Sequence, residues 1–398
     1  MCGIVGYIGQ QEAQPILLQG LLKLEYRGYD SAGIATLHPA NTNKHFVTSI
    51  KRSVGKIAIL ENLLEQNPCI GSIGIGHTRW ATHGKPSETN AHPHSVDGIT
   101  LVHNGIIENY RELRDELISH GSEFRSQTDT EVISHLIAFE MSLIHDFEGA
   151  FRNALKRLKG AYAVAVIHEK QPDRILCAAL NSPLVVGRGH GEFFVASDFP
   201  AVLAYTKDFY ILEDGDLAAV YRDGVEISNI DGQPQKRELK TLQWSATLAE
   251  KSGHTHFMHK EIFEQPSVVA DTLLDRLNFL TQKPLLEGVK SSNLNSFDRI
   301  VIVACGTSYH SAVVAKYYLE DMAQIPVETE LASEFRYRKV AVNQKTLVIG
   351  ISQSGETADT LAALKYAVKL GAHVLGICNV MDSAIARLCN VNETIASE

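Results

Sequence analysis

The chain has 398 residues, 44% of them hydrophobic, with 46 acidic against 37 basic side chains and a formal net charge of −9. That length accommodates two or three domains of about 100 to 200 residues each, and an acidic balance without a Lys/Arg block excludes an electrostatic footprint for nucleic acid. The opening MCGIVGYIGQ lacks a basic n-region and no run reaches about 18 apolar residues, so neither a signal peptide nor a membrane span is read and a cytoplasmic location is expected.

The first 225 residues carry short apolar runs separated by turns: CGIVGYIG, AGIATLH, SIGIGHTRW, GITLVHNG, AYAVAVIHE, RILCAAL, PLVVGRG and EFFVASD. Runs of this length predict strands. Two segments, 11–28 and 128–146, instead repeat their apolar residues at three and four positions and predict helices. Sheets packed against helices follow for residues 1–225. Residues 226–287, with IDGQPQKREL and EKSGHTH, lose apolar periodicity and are expected to form a linker and helical lead-in. From 288 to 398, continuous apolar strands (DRIVIVA, KTLVIGI, HVLGICN) alternate with helices (HSAVVAKYYLEDM, ADTLAALKYAVKLG), which predicts a doubly wound parallel sheet covered on both faces.

Cys69, Cys177, Cys378 and Cys389 sit in apolar stretches and read as small buried hydrophobes, and no CxxC spacing suggests zinc. Cys2 differs, because trimming of Met1 would leave an α-amine and a thiol on one residue. An amine of pKa about 7.7 to 8.0 can take the proton of a thiol of pKa about 8.5 near neutral pH, so the nucleophile would carry its own base.

The run ITLV leads into His103, Asn104 and Gly105, expected at a strand end. There an Asn amide and a Gly backbone N–H could hold an oxyanion, or the three could form an ordinary Asn-Gly turn. HTRWATHG at 77–84 offers Arg79, whose planar fork suits a carboxylate or a surface ion pair, together with Thr82 and His83. Asp129, in TDTE, precedes a helix and could cap it or meet an ammonium group. His77, His83, His92, His94 and His103 lie close in sequence, yet they and the later His254, His256 and His259 lack metal-ligand spacing; no metal or other cofactor is expected.

The joint pattern of CGI, HTRWAT, HNGII and TDTE resembles the class II glutamine amidotransferases. The resemblance implies a four-layer αββα N-terminal-nucleophile fold. It also implies Cys2 as nucleophile, Asn104 and Gly105 as oxyanion hole, Arg79 on the glutamine carboxylate and Asp129 on its α-amine, with Trp80, Thr82 and His83 about the pocket.

In the second half, CGTS at 305–308 and SQSGET at 352–357 each end a strand and open a helix, where hydroxyls and backbone N–H groups suit a phosphate or simply cap the helix through Ser308 and Thr357. Neither matches a nucleotide-binding loop. Cys305 has no basic neighbour and reads as packing. These turns resemble the sugar isomerase domain of phosphosugar proteins. With LEYRGYDSAG and ASEFRYRK, the whole chain is similar to the glutamine:fructose-6-phosphate amidotransferases.

That similarity implies glutamine and fructose 6-phosphate as substrates, and Thr307, Ser308, Ser352, Gln353, Ser354 and Thr357 around the sugar phosphate. Ammonia would pass through the interior, giving glucosamine 6-phosphate and glutamate, in a homodimer. The family's Schiff-base lysine, isomerising glutamate and histidine belong to a second isomerase domain and match no residue here, Lys260 and Lys365 included. The expectation is therefore a truncated form competent in glutamine hydrolysis. A sugar-phosphate-binding regulator with a residual glutaminase domain is the alternative.

Overall fold

Alternation in the first strand sets the layering. In β1 (Gly3–Ile8) the side chains of Ile4 and Ile8 face one apolar layer and those of Val5 and Tyr7 another, as a pleated strand requires. The computed structural model describes residues 2–40, 45–81, 83–242, 254, 256–274, 276–278, 281, 283–284, 296–380, 383–389 and 394–396. They fall into two units, Met1–Glu250 and Lys251–Glu398.

The first unit holds α1 (Ala13–Lys23), β2 (Ser31–Pro39), β3 (Phe46–Val54), α2 (Ile57–Gln66), β4 (Ile73–Arg79), β5 (His94–Val96) and β6 (Ile99–Ile107). Next come α3 (Tyr110–Ser119), α4 (Glu131–Ile144), α5 (Phe147–Arg157), β7 (Gly160–His168), β8 (Gln171–Leu180), β9 (Val185–Arg188) and β10 (Phe193–Ala196). Four short strands finish it: β11 (Asp208–Ile211), β12 (Asp216–Val220), β13 (Val225–Asn229) and β14 (Leu239–Thr241).

Two antiparallel sheets form, one ordered β14-β11-β9-β10-β1-β4-β2-β3 and the other β13-β12-β8-β7-β6-β5. Ile4, Ile8, Ala35 and Ile75 of the first sheet pack in one cluster with Ala163, Ala165, Ile167 and Cys177 of the second. The outer face of the first sheet is covered by α1 and α2, whose Ile16, Leu17, Leu21, Leu60 and Leu64 meet Val5 and Tyr7. The outer face of the second is covered by α3, α4 and α5. This is the four-layer αββα sandwich expected.

Local chemistry explains the helices. In α1 the buried residues Ala13, Ile16, Leu17, Gly20 and Leu21 recur at helical spacing, and at Gly20 a Cβ would come within 2.9 Å of Val5, so glycine lets the helix approach β1. In α5 the side chain of Asp146 caps the start by accepting the Gly149 N–H at 3.0 Å. Residues 226–241, expected to begin the linker, instead supply β13 and β14, which pair with β12 and β11. These are short edge strands of intermediate burial, and so have no apolar run to announce them.

The second unit contains α6 (Phe257–Leu274), the two-residue strands β15 (Leu277–Asn278) and β16 (Lys283–Pro284), β17 (Arg299–Ala304), α7 (Gly306–Ala323), β18 (Val327–Leu331) and α8 (Ala332–Phe335). It continues with β19 (Thr346–Ser352), α9 (Ala358–Lys369), β20 (His373–Cys378), α10 (Ala384–Leu388) and β21 (Thr394–Ala396). Its main sheet is parallel throughout, in the order β18-β17-β19-β20-β21. Val301, Val303 and Val348 face one core and Ile300, Ile302 and Ile349 the other, so both faces are covered. The strand order reverses between β17 and β19, and doubly wound sheets bind ligands beyond the carboxyl ends of such a pair.

Because Phe151 is 1% exposed and fills the α5 side of the second sheet, Phe151→Ala is expected to cost about 3 to 5 kcal/mol in the unfolding of the first unit. Urea denaturation checks this, and a change under 1 kcal/mol would contradict the packing described.

Candidate active site

Cys2 lies immediately before β1, which is paired on one side with β4 and on the other with β10. The pairing with β4 carries the thiol to the end of that strand, where Cys2 Sγ accepts the backbone N–H of Trp80 at 3.2 Å. The thiol is half-buried. Burial pushes its pKa up, against the opposing pull of the backbone hydrogen bond at Trp80 and the charges of Arg79 and Arg27. A thiol so placed needs a base before it can attack.

Asn104 approaches from the second sheet. Its Nδ2 donates to the carbonyl oxygen of Cys2 at 3.1 Å, and its Oδ1 lies 3.0 Å from His77 Nε2. His103, Asn104 and Gly105 were expected at a strand end or in a turn; they lie inside β6, opposite Val164, Ala163 and Tyr162 of β7. Gly105 has φ of 131°, and a Cβ there would stand 2.0 Å from the Ala161 carbonyl oxygen, so this backbone needs glycine. The result is an amide N–H2 directed at Cys2 beside a backbone turned in a way other residues resist.

Arg79, 4% exposed at the end of β4, donates through one terminal nitrogen to the carbonyls of His83 and Gly84, while its other terminal nitrogen is buried without a partner among the described residues. An unpaired buried guanidinium nitrogen is costly, and a carboxylate is its natural complement. The 83–91 loop is tied down by Asn90, which exchanges hydrogen bonds with Gln127 and donates to the Lys85 carbonyl at 2.9 Å. His83 stands edge-on to Tyr110, and Trp80, 44% exposed, stands edge-on to Tyr29. Thr82 lies outside the described residues.

Asp129 does not cap α4. Its Oδ2 accepts the Ile107 N–H at 2.8 Å, which anchors the end of β6, and the capping position falls to Thr130. Three groups that the sequence reading gave no role join this region. Arg27 is buried and paired with Asp198 at 2.8 Å, Asp30 accepts the Ala81 N–H at 2.8 Å, and Ser197 accepts the Ile4 N–H at 3.0 Å. All join residues more than fifty positions apart, a relation sequence spacing does not carry.

Four histidines of the suspected cluster come together behind Asn104. His77 stacks on His92 at 4.0 Å, His92 meets His94 at 4.9 Å, and His92 Nδ1 accepts the His103 N–H at 3.3 Å. Burial lowers all four, His77 and His94 to about 3. Among the described residues no group of three or more His, Cys, Asp or Glu is placed to hold a metal ion.

In the second unit both Ser-rich turns lie at the reversal of strand order, CGTS after β17 and SQSGET after β19. The hydroxyls do not cap. Ser308 lies inside α7, whose capping position is Cys305, and Thr357 heads α9 but turns its hydroxyl to Ser352 at 2.9 Å. Ser352 also accepts the Gly355 N–H at 3.1 Å and Ser354 the Glu356 N–H at 3.2 Å, which curls the loop. Gly355 has φ of 65°, and a Cβ there would lie 2.0 Å from the Ser383 hydroxyl. Thr307, in the first turn of α7, and Gln353, in the loop after β19, are exposed. An anion could settle there against the amino ends of α7 and α9.

Residues 77–204 match the family model of a glutamine amidotransferase domain and residues 293–398 that of a SIS domain. The chain is 50% identical over 390 residues to glutamine--fructose-6-phosphate aminotransferase (isomerizing) of Caldanaerobacter subterraneus subsp. tengcongensis, covering 97% of this chain and 63% of that protein. It is 48% identical to the protein of the same name from Clostridium tetani, again covering 97% and 63%. The chain thus spans 63% of the length of these relatives. Among solved structures, glutamine phosphoribosylpyrophosphate amidotransferase from B. subtilis matches with a TM-score of 0.53 at 20% identity, covering 95% of this chain and 81% of that one. A structure titled as the allosteric regulatory enzyme of purine biosynthesis gives 0.54 at 21%, covering 94% and 80%. At such identity these two show the fold alone.

The buried histidines predict an acid-sensitive first unit. Their unfolded pKa is near 6.5 and their folded values lie well below, so between about pH 6.5 and 3 the unfolded chain binds more protons and stability falls as pH falls. The urea midpoint is expected to drop from pH 7 to pH 5, where ordinary carboxylates remain ionised. An unchanged midpoint would contradict neutral buried imidazoles.

Proposed function

We propose, from the premise that this chain belongs to the glutamine--fructose-6-phosphate aminotransferase family, that its first unit hydrolyses glutamine through the thiol of Cys2. The observation that carries this reading is the Cys2 sulfur at 3.2 Å from the Trp80 N–H with the Asn104 amide donating to the same residue at 3.1 Å.

The chemistry is acyl transfer. With Met1 removed, the α-amine of Cys2 takes the thiol proton, directly or through water, which answers the upward pull of burial on the thiol. Sulfur then adds to the side-chain amide carbon of glutamine, and the negative charge that collects on oxygen is met by the Asn104 N–H2 and the Gly105 backbone N–H. The C–N bond breaks, the amine's proton passes to nitrogen, and ammonia leaves. Water next cleaves the γ-glutamyl thioester, returning the thiol and releasing glutamate. Arg79, one of whose terminal nitrogens is buried without a partner among the described residues, takes the α-carboxylate of glutamine, and Asp129 its α-ammonium. The family resemblance assigns Trp80, Thr82 and His83 to the same pocket.

For the second unit we propose binding of the phosphate and neighbouring hydroxyls of fructose 6-phosphate by Thr307, Ser308, Ser352, Gln353, Ser354 and Thr357. Support comes from the SIS match and from the two turns at the reversal of strand order. The reaction proposed for the protein as a family member delivers the released ammonia to fructose 6-phosphate, forming glucosamine 6-phosphate. A second domain at 288–398, a homodimeric assembly, a cytoplasmic location and no nucleic-acid or membrane partner complete the proposal. No helix among the described residues is long and apolar enough to cross a membrane.

Glutamate release from glutamine, measured with and without fructose 6-phosphate, tests this reading. Cys2→Ala is expected to abolish release, and Asn104→Ala to lower kcat by about 10² to 10³ with KM nearly unchanged. Arg79→Lys, which loses the planar fork, should raise KM by at least about tenfold. Undiminished release by Cys2→Ala would overturn the reading.

A further inference from the structure

We propose that His77 is a positioning residue for this reaction, its Nε2–H holding the Asn104 amide in the orientation that turns the N–H2 toward Cys2. The inference rests on the reading of Cys2 as nucleophile and goes beyond it, because His77 is fully buried and would act only through Asn104.

The hydrogen bonds determine where the proton sits. His77 Nε2 lies 3.0 Å from the His103 carbonyl oxygen and 3.0 Å from an oxygen of Asn104. A carbonyl oxygen only accepts, so Nε2 carries the hydrogen and shares it between the two. The far end of the same amide lies 3.1 Å from the Cys2 carbonyl oxygen, also an acceptor, so that end must be the N–H2. Rotating the amide by half a turn would set N–H2 against the imidazole N–H and oxygen against oxygen. Only one orientation satisfies the network, and it presents donors to the sulfur side. Remove the imidazole and the Cys2 contact alone is left to hold the amide.

Packing locks the imidazole in turn. His77 is fully buried in β4, between its pairing partners Ile4 of β1 and Gly33 of β2. Its ring stacks on His92, and His92 Nδ1 takes the His103 N–H. His103 Nδ1 then lies 2.9 Å from the Thr130 hydroxyl, next to Asp129. The backbone of His103, one residue before Asn104, is thereby held at both its N–H and its carbonyl. His77 Nδ1 has no partner among the described residues, which is a cost an apolar side chain would not incur. Space filling alone therefore does not account for an imidazole here.

The test compares His77→Phe and His77→Gln with the unaltered chain. Three quantities are read: kcat for glutamate release, KM for glutamine, and the rate at which iodoacetamide alkylates Cys2. Alkylation is displacement at a saturated carbon and builds no oxyanion, so it reports an intact thiol without needing the oriented amide. His77→Phe is expected to lower kcat by about 10- to 100-fold, a large part of what a missing oxyanion donor costs. KM and the alkylation rate should stay within about threefold. His77→Gln, whose side-chain N–H reaches the place of Nε2, should restore most of kcat.

If His77→Phe does not fold, His77→Asn replaces it, with a side chain too short to reach Asn104 and the same loss expected. The proposal is overturned if kcat of the Phe or Asn variant stays within twofold, or if kcat and alkylation fall together and Gln restores neither. An unaltered chain without glutaminase activity, or activity that survives Cys2→Ala, would instead overturn the reading of Cys2 itself.

Discussion

The contact between Asn104 and Cys2 joins the two facing sheets at their functional edge, and the site depends on it. Cys2 precedes a strand of the first sheet and Asn104 lies within a strand of the second, yet their amide and carbonyl meet at 3.1 Å. The spacing follows from the small side chains between the sheets. Ala163 and Ala165 in β7 and Gly6 in β1 keep the layers close, so that a short Asn side chain can span them. His77 crosses the same gap from β4 to the His103 carbonyl, a second tie in the same place.

That setting has an electrostatic consequence. Buried hydrogen-bond donors gain strength from low local polarity, while a buried unpaired group loses solvation with nothing in return. The region contains both situations: a thiol raised by burial, imidazoles kept neutral, and a guanidinium nitrogen without a partner among the described residues. The unpaired guanidinium nitrogen is unfavourable as it stands, and under the proposed function the carboxylate of glutamine would answer it. The second unit uses a different device. There a curled loop and the amino ends of α7 and α9 follow the strands at the reversal of strand order.

Much of this was legible in the residues. All eight apolar runs of the first 225 residues became strands, because inward faces of a sandwich need continuous or alternating hydrophobes. β3 was not legible, since FVTSIKRSV is an edge strand of intermediate burial with a polar sequence. α3 hid for a like reason, burying only Leu113 and Leu117. The predicted helix over 128–146 stops at His145, whose left-handed backbone (φ 56°) separates α4 from α5, and the sequence reading did not see α5 beyond it. Cys2, Arg79, Asn104, Gly105 and Asp129 could be singled out as candidates because they fall in short local motifs. Arg27, Asp30, Ser197 and the positioning imidazole of His77 could not, because their partners lie far along the chain. The HNG segment, expected at a strand end or in a turn, lies inside β6, where the positive φ of Gly105 calls for glycine.

The central claim is a covalent γ-glutamyl intermediate on one sulfur. The most direct measurement is mass spectrometry of peptides from protein mixed with glutamine and quenched in acid during turnover. The account predicts a γ-glutamyl adduct on the peptide that begins with Cys2, carrying a free amino terminus. Turnover with that peptide unmodified, or an adduct on any other residue, would contradict it.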